Sequence, residues 1–246
     1  MKKENIDLLN DFIFNAKVVD LSTVFENGMP KFPTHPPIVI NPTIVHEIDG
    51  YYCQTIFMPE HIGSHVDAPY HIHSELKGQT IDAMDPLHLI GRAIIIDLTY
   101  LDLKPGDLAP LKCIKEFENK NELKIKKDDI VLINFGRLKR VSESKDPIRA
   151  IKDYTKNAPG LSKEIAEYLL LKKIKAIGSD TIACGTPMVD GKPSFCWIHE
   201  LLLKNNILIM ECINNLEKIP CSVFFIALPL KIKNGSGSPI RPIALI

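Results

Sequence analysis

A mixed α/β fold is what this sequence predicts, and three observations carry the expectation. Short continuous apolar runs, Ala93–Leu98 and Ile130–Asn134, read as strands buried on both faces. A helix-then-strand unit follows them: Leu161–Lys173, entered through Pro159-Gly160-Leu161-Ser162, leads into Ile174–Ile177. The first half is richer in strands than in helices, so repeated β/α units do not account for the whole chain.

Taken in order, Ile6–Phe14 has helical spacing between polar flanks, and Val18–Leu21 reads as a short strand. Pro30, Pro33, Pro36 and Pro37 impose an irregular segment, because proline fixes φ and lacks an N–H. Ile38–Ile48 is β-branched with turn residues at both ends, which is a strand signal. Leu161–Lys173 is the clearest helix, with Ser162 its expected N-cap. Ser194–Lys204 is expected to be helical and to turn at Asn205-Asn206, ahead of strands at Ile207–Glu211 and Val223–Leu228. No internal repeat, low-complexity tract or long linker divides the chain, so residues 1–246 are expected to form one domain.

Hydrophobic residues make up 45% of the chain and charged residues 24%, the balance of an ordinary globular protein. Thirty basic and thirty acidic residues cancel, leaving no electrostatic footprint for nucleic acid or an anionic membrane. No apolar run reaches the length of a membrane span. Glu4, Asp7, Asn10 and Asp11 follow Met1-Lys2-Lys3 where a signal peptide needs apolar residues, so a cytoplasmic protein is expected. The six cysteines include no C-x-x-C pair and read as free, largely buried thiols.

The chemistry concentrates in His61-Ile62-Gly63-Ser64-His65-Val66-Asp67-Ala68-Pro69-Tyr70-His71. His61, His65, Asp67 and His71 all fall on odd positions, so an extended chain would put them on one face. A helix would turn Asp67 away from the two imidazoles, and Gly63 and Pro69 disfavour a helix interior. Imidazole with carboxylate is the ligand set of a divalent metal, zinc or manganese above all. In the C-terminal half, His199 sits in an apolar helical pattern and Glu211 ends an apolar strand. Either can join the metal site. Equally, His199 reads as a satisfied core histidine, and Glu211 as a side chain that reaches solvent.

The His61–His71 segment resembles the H-x-G-T-H-x-D-x-P-x-H signature of the cyclase superfamily of metal-dependent hydrolases, which includes kynurenine formamidases and isatin hydrolases. The resemblance extends to Asp20-Leu21-Ser22, Gly91–Leu98, Pro159-Gly160-Leu161, Gly178-Ser179-Asp180, Leu228-Pro229-Leu230-Lys231 and Gly237-Ser238-Pro239-Ile240-Arg241. It implies a single-domain cyclase-like (swivelling β/β/α) fold, a small-molecule substrate and a homo-oligomer, dimer or larger. It further implies that His61, His65 and Asp67 hold one metal and that Asp67 bridges to a second. That second metal would be held by His199 and Glu211, which have the family's twelve-residue spacing. Isatin hydrolase-like members imply a single manganese instead, so one or two ions per chain, zinc first and manganese second, are expected. By the same resemblance His71 is the catalytic histidine rather than a ligand.

The implied reaction is cleavage of an amide C–N bond by metal-activated water with a histidine proton shuttle. Its expected substrate is an aryl formamide such as N-formylkynurenine, a step of tryptophan catabolism. The alternatives are hydrolysis of a cyclic amide, imide or lactone, and a non-catalytic metal-binding protein. Ser64 stands where the signature has threonine and keeps the hydroxyl. Phe32 stands where formamidases carry a tryptophan that walls the substrate pocket, and Glu60 resembles members outside the formamidase branch. No G-x-S-x-G elbow or thiol-hydrolase signature competes, and Gly235-Ser236-Gly237 lacks the lysine and helix of a phosphate loop. His73 reads as a supporting or solvent residue, and His35, His46 and His88 as surface or loop residues. Lys231 and Arg241 read as anchors of the C-terminal tail, or alternatively as contacts for a substrate carboxylate.

Overall fold

Residues 3–246 are described by a computed structural model, whose main element is a nine-stranded mixed sheet. Its strands run in the order Val18–Asp20, Ile243–Leu245, Ser222–Ile226, Ile90–Asp97, Ile130–Asn134, Ala176–Ser179, Leu208–Glu211, His65–Asp67 and Gly237–Pro239. The four from Ile90–Asp97 to Leu208–Glu211 are mutually parallel, and the strands on either side of them pair antiparallel. The expected mixed α/β class is what the chain forms.

The apolar runs make this centre because every residue in them except Asp97 is buried. Alternate side chains then go to opposite faces. Ile94, Ile96, Val131, Ile133, Ile177 and Ile209 pack with the helices Leu111–Lys120 and Lys163–Lys172. Ala93, Ile95, Ile130, Leu132, Leu208 and Met210 face the other way, onto Val66, Phe225 and Leu21.

Several boundaries differ from the sequence expectation. The helix expected at Leu161–Lys173 spans Lys163–Lys172, because Gly160-Leu161 pairs as a two-residue strand with Leu108-Ala109. Ser162 occupies the N-cap position, but its hydroxyl is buried and makes no capping bond. Ile38–Ile48 is a strand only over Val39–Ile44, pairs with Cys53–Phe57, and gives way to a helical turn at His46–Asp49. Ser194–Lys204 narrows to a π-helical segment, His199–Leu203. Cys113, Cys184 and Cys212 are buried, Cys53 is exposed, and all six cysteines are free. Among the described residues, no helix is long and apolar enough to cross a membrane.

Asp180, just past the Ala176–Ser179 strand, holds the neighbouring loop in place. Its carboxylate accepts the Phe135 N–H at 2.8 Å and the Arg137 N–H. Burial pushes its pKa up to about 6 from 3.8, and the backbone donors offset only part of that. The folded-state pKa lies above the unfolded one, so the native state binds more protons between them and stability falls as pH rises through that window. The gap is worth about 3 kcal/mol. Stability of the wild type relative to Asp180→Asn, from urea melts between pH 4 and 7, is expected to fall as pH rises and then level off. A difference that does not change with pH would contradict this account.

Candidate active site

Five side chains converge beside the His65–Asp67 strand. His65 and Asp67 lie two apart in extended backbone and so share a face. Glu211 is the register partner of His65 in the adjoining antiparallel strand, which sets its carboxylate beside that imidazole. His61 arrives from the preceding loop and His199 from the π-helical segment. The expectation that His61–His71 forms one continuous strand does not hold. Gly63, at φ +56°, turns the chain ahead of His65, and Pro69–His71 is a 3₁₀ turn.

The distances define two overlapping groups, His61/His65/Asp67 and Asp67/His199/Glu211. Asp67 Oδ1 lies 2.7 Å from His61 Nδ1 and 3.4 Å from His65 Nε2, while its Oδ2 lies 3.5 Å from His199 Nε2. Glu211 stands 3.4 Å from His65 Nε2 through Oε2 and 3.3 Å from His199 Nε2 through Oε1. Asp67 and Glu211 are 1% and 6% exposed, so Glu211 does not reach solvent and these are buried charges that need compensation.

Burial opposes ionisation of Asp67, but the neighbouring His71 and His61 outweigh it and hold its carboxyl well below the usual range. Burial likewise opposes charge on His61, yet Asp67 prevails and raises its pKa. At His199 burial is overcome by Cys196, whose Sγ lies 3.1 Å from Nδ1, and by Asp67 and Glu211, so its pKa is also raised.

The donor chemistry fits a divalent cation. The Gly63 carbonyl, 2.8 Å from His65 Nδ1, can only accept, so Nδ1 carries the proton of the neutral ring. His65 Nε2 is then a bare lone pair facing an oxygen of Asp67 and one of Glu211. Three acceptors meeting this closely repel unless a cation lies among them. Two imidazoles and a carboxylate in one group, and one imidazole and two carboxylates in the other, with Asp67 shared, suit zinc or manganese.

His71 stands next to this cluster but belongs to neither group. Its ring centroid is 4.0 Å from that of His61 and 6.4 Å from that of His199. Burial lowers its pKa to about 4, against the pull of Asp67, so the ring is neutral at pH 7.

A cavity of roughly 310 Å³ opens over these groups, and Phe32, Ile72, Ile182 and Phe195 form apolar parts of its wall. Its volume matches that of small-molecule sites. Phe32 also packs against the Tyr154 cluster. Sequence reasoning read His35 as a surface or loop residue; it lies in the proline-rich loop but lines this cavity, with Nδ1 3.1 Å from the His61 carbonyl and its ring 5.3 Å from that of Phe32. The proline-rich loop folds over the site, a contact between distant segments that no local pattern marks. His73 is buried, with Nε2 3.1 Å from the Glu200 carbonyl, as a supporting residue. Arg241 pairs with Asp20 at 2.8 Å and ties down the C-terminal tail.

Fold and site together describe an α/β protein with a histidine–carboxylate centre under a small-molecule cavity. The chain belongs to the Cyclase family, whose model matches residues 19–185. It is 30% identical over 245 residues to isatin hydrolase from Roseibium aggregatum, covering 94% of this chain and 92% of that protein. It is 27% identical over 226 residues to kynurenine formamidase from Bacillus cereus, covering 92% of this chain and 95% of that one. An isatin hydrolase solved with the product analogue thioisatinate superposes with a TM-score of 0.86 at 26% identity, over 100% of this chain and 99% of that one. The relatives named here are hydrolases.

Asp67 belongs to both groups, which sets an order among the variants. With zinc supplied, elemental analysis is expected to find metal in the wild type, less in His199→Ala and none in Asp67→Ala. Equal loss in both variants would mean that a single ion is shared by all five side chains.

Proposed function

We propose that this chain is a metal-dependent amidohydrolase that cleaves the C–N bond of an aryl amide, with an aryl formamide such as N-formylkynurenine as the first substrate. The observation that carries the reading is His71: a buried, neutral imidazole beside two ligand groups and a member of neither. A protein that only stored metal would have no use for it.

Held by His61, His65 and Asp67, with Asp67, His199 and Glu211 able to hold a second, a divalent cation (zinc first, manganese second) would polarise the amide carbonyl and lower the pKa of water from about 15.7 towards 7. His71, uncharged at pH 7, accepts a proton from the attacking water and delivers it to the leaving nitrogen. Phe32, Ile182 and Phe195 offer apolar surface to a flat aromatic ring and exclude bulk water from the reacting carbonyl.

A cyclic amide such as isatin is the second reading. It draws support from the 30% identity to isatin hydrolase and from Phe32 in the wall position. The two substrates differ in charge. N-Formylkynurenine carries an amino-acid carboxylate and isatin none, and among the described residues Lys31 is the one lysine or arginine on the cavity wall. The carboxylate would pair with Lys31 at the cavity rim.

The homo-oligomer is part of the same proposal. The Lys3–Asn15 helix leaves Leu8 and Phe14 68% and 86% exposed, and every residue of the Cys53–Phe57 strand is exposed. Apolar surface of this kind marks an association face.

The test is hydrolysis of N-formylkynurenine and isatin by zinc- and manganese-loaded protein. His71→Ala is expected to keep its metal while losing about 10²–10⁴-fold in kcat. Loss of metal from that variant would make His71 a ligand, and retained activity would remove it from the chemistry.

A further inference from the structure

The Gly235-Ser236-Gly237 segment packs against the candidate centre. The Ser236 carbonyl accepts the Ala68 N–H at 2.8 Å, and Gly237 is the register partner of Asp67. Both glycines are required by close approach. A Cβ on Gly237 would sit 2.5 Å from His61 Cε1 and 2.8 Å from the Val66 carbonyl, and one on Gly235 would sit 2.8 Å from Glu60 Oε1. The Ser236 side chain between them touches both Glu60 and His61.

These contacts determine which nitrogen of His61 faces the candidate centre. Ser236 donates to Glu60 Oε2 twice, from its backbone N–H at 2.9 Å and from its hydroxyl at 2.8 Å. A carboxylate only accepts, so the single hydroxyl proton is committed to Glu60. The hydroxyl oxygen is 2.8 Å from His61 Nε2 and can meet it only as an acceptor, so Nε2 carries a proton and Nδ1 is the nitrogen turned to the centre, 2.7 Å from Asp67 Oδ1. In His65 and His199 the order is reversed. Nδ1 is tied to the Gly63 carbonyl and to Cys196 Sγ respectively, and Nε2 faces the carboxylates.

We propose that Glu60 and Ser236 are positioning residues that lock His61 as its Nε2–H tautomer, so that it ligates metal through Nδ1 whereas His65 and His199 ligate through Nε2. This rests on the metal reading above. Outer hydrogen bonds of this type set ligand orientation and basicity, and their loss costs about 10–100-fold in metal affinity. The C-terminal segment is thereby part of the centre, and Glu60 acts through Ser236 without touching metal or substrate.

The direct test needs no substitution. Long-range ¹H–¹⁵N correlation spectra of histidine-labelled, zinc-loaded protein report which ring nitrogen carries hydrogen. The expected result is Nε2–H at His61 and Nδ1–H at His65 and His199. Nδ1–H at His61 would overturn the proposal while leaving the metal reading intact, and failure of the wild type to bind zinc at all would remove both.

Zinc affinity, measured by competition with a chromophoric chelator, supplies the second readout. Ser236→Ala and Glu60→Ala are expected to weaken binding by about 10–100-fold. Glu60→Gln is expected to stay near wild type, because the Ser236 backbone N–H orients the amide oxygen to accept both bonds. Unchanged affinity in Ser236→Ala, with circular dichroism showing a folded chain, would also overturn the proposal.

Discussion

Two carboxylates buried against one end of an apolar sheet are the constraint that organises this molecule. Asp67 and Glu211 lie among residues that are almost wholly inaccessible, where an unpaired charge costs several kcal/mol. Three imidazoles surround them, and His65 and His199 turn an Nε2 atom toward both. Each carboxylate also keeps one neutral tether to the fold: Glu211 Oε1 accepts the Cys184 N–H at 2.8 Å, and the Asp67 strand is held on both edges by ladder pairing. The charges are therefore fixed in place before any ligand arrives, which is the preorganisation that metal sites and catalysis require.

Sheet register is what converts this constraint into geometry. Because Glu211 pairs with His65 and Ile209 with Asp67, a slip of one residue would swing Glu211 to the opposite face, where Leu208 and Met210 pack. The long parallel strands at the centre make such a slip costly, since each is buried on both sides. Core packing and site assembly are in this sense the same interaction. The apolar residues that hold Leu208–Glu211 against Ala176–Ser179 also set where the Glu211 carboxylate lies.

How much of this was legible in the chain depends on the range of the contact. The buried strands could be read, because a continuous apolar run needs no partner to identify it. Period-two spacing placed His65 and Asp67 on a common face, and that local relation is present in the structure. It misled for His61 and His71, because Gly63 and Pro69 break the extended backbone on either side of the short strand. The pairing of His199 and Glu211 with Asp67 came only through family resemblance, since neither residue carries a local signal that separates a ligand from a core histidine or a solvated carboxylate. Three participants escaped altogether or were misplaced: His35, Glu60 and Ser236. Their contacts join residues 26 to 176 positions apart, and no periodicity encodes such a meeting.

On the proposed reading, the cavity connects this centre to selectivity among amides. Its apolar wall favours a flat aromatic group, but apolar contact alone discriminates weakly between substrates of similar size. Discrimination has to come from polar groups left paired or unpaired when the substrate binds. Two are present on the loop over the site: Lys31, and His35, whose Nδ1 engages the His61 carbonyl and whose Nε2 has no hydrogen-bond partner among the described residues. A substrate with a carboxylate would pair with Lys31, while a neutral bicyclic amide would leave its ammonium on the Pro33 carbonyl, 3.3 Å away, and in solvent, at little cost. On the proposed reading, the choice between an aryl formamide and a cyclic amide would then rest with the Pro30–His35 loop rather than with the side chains that would hold the metal.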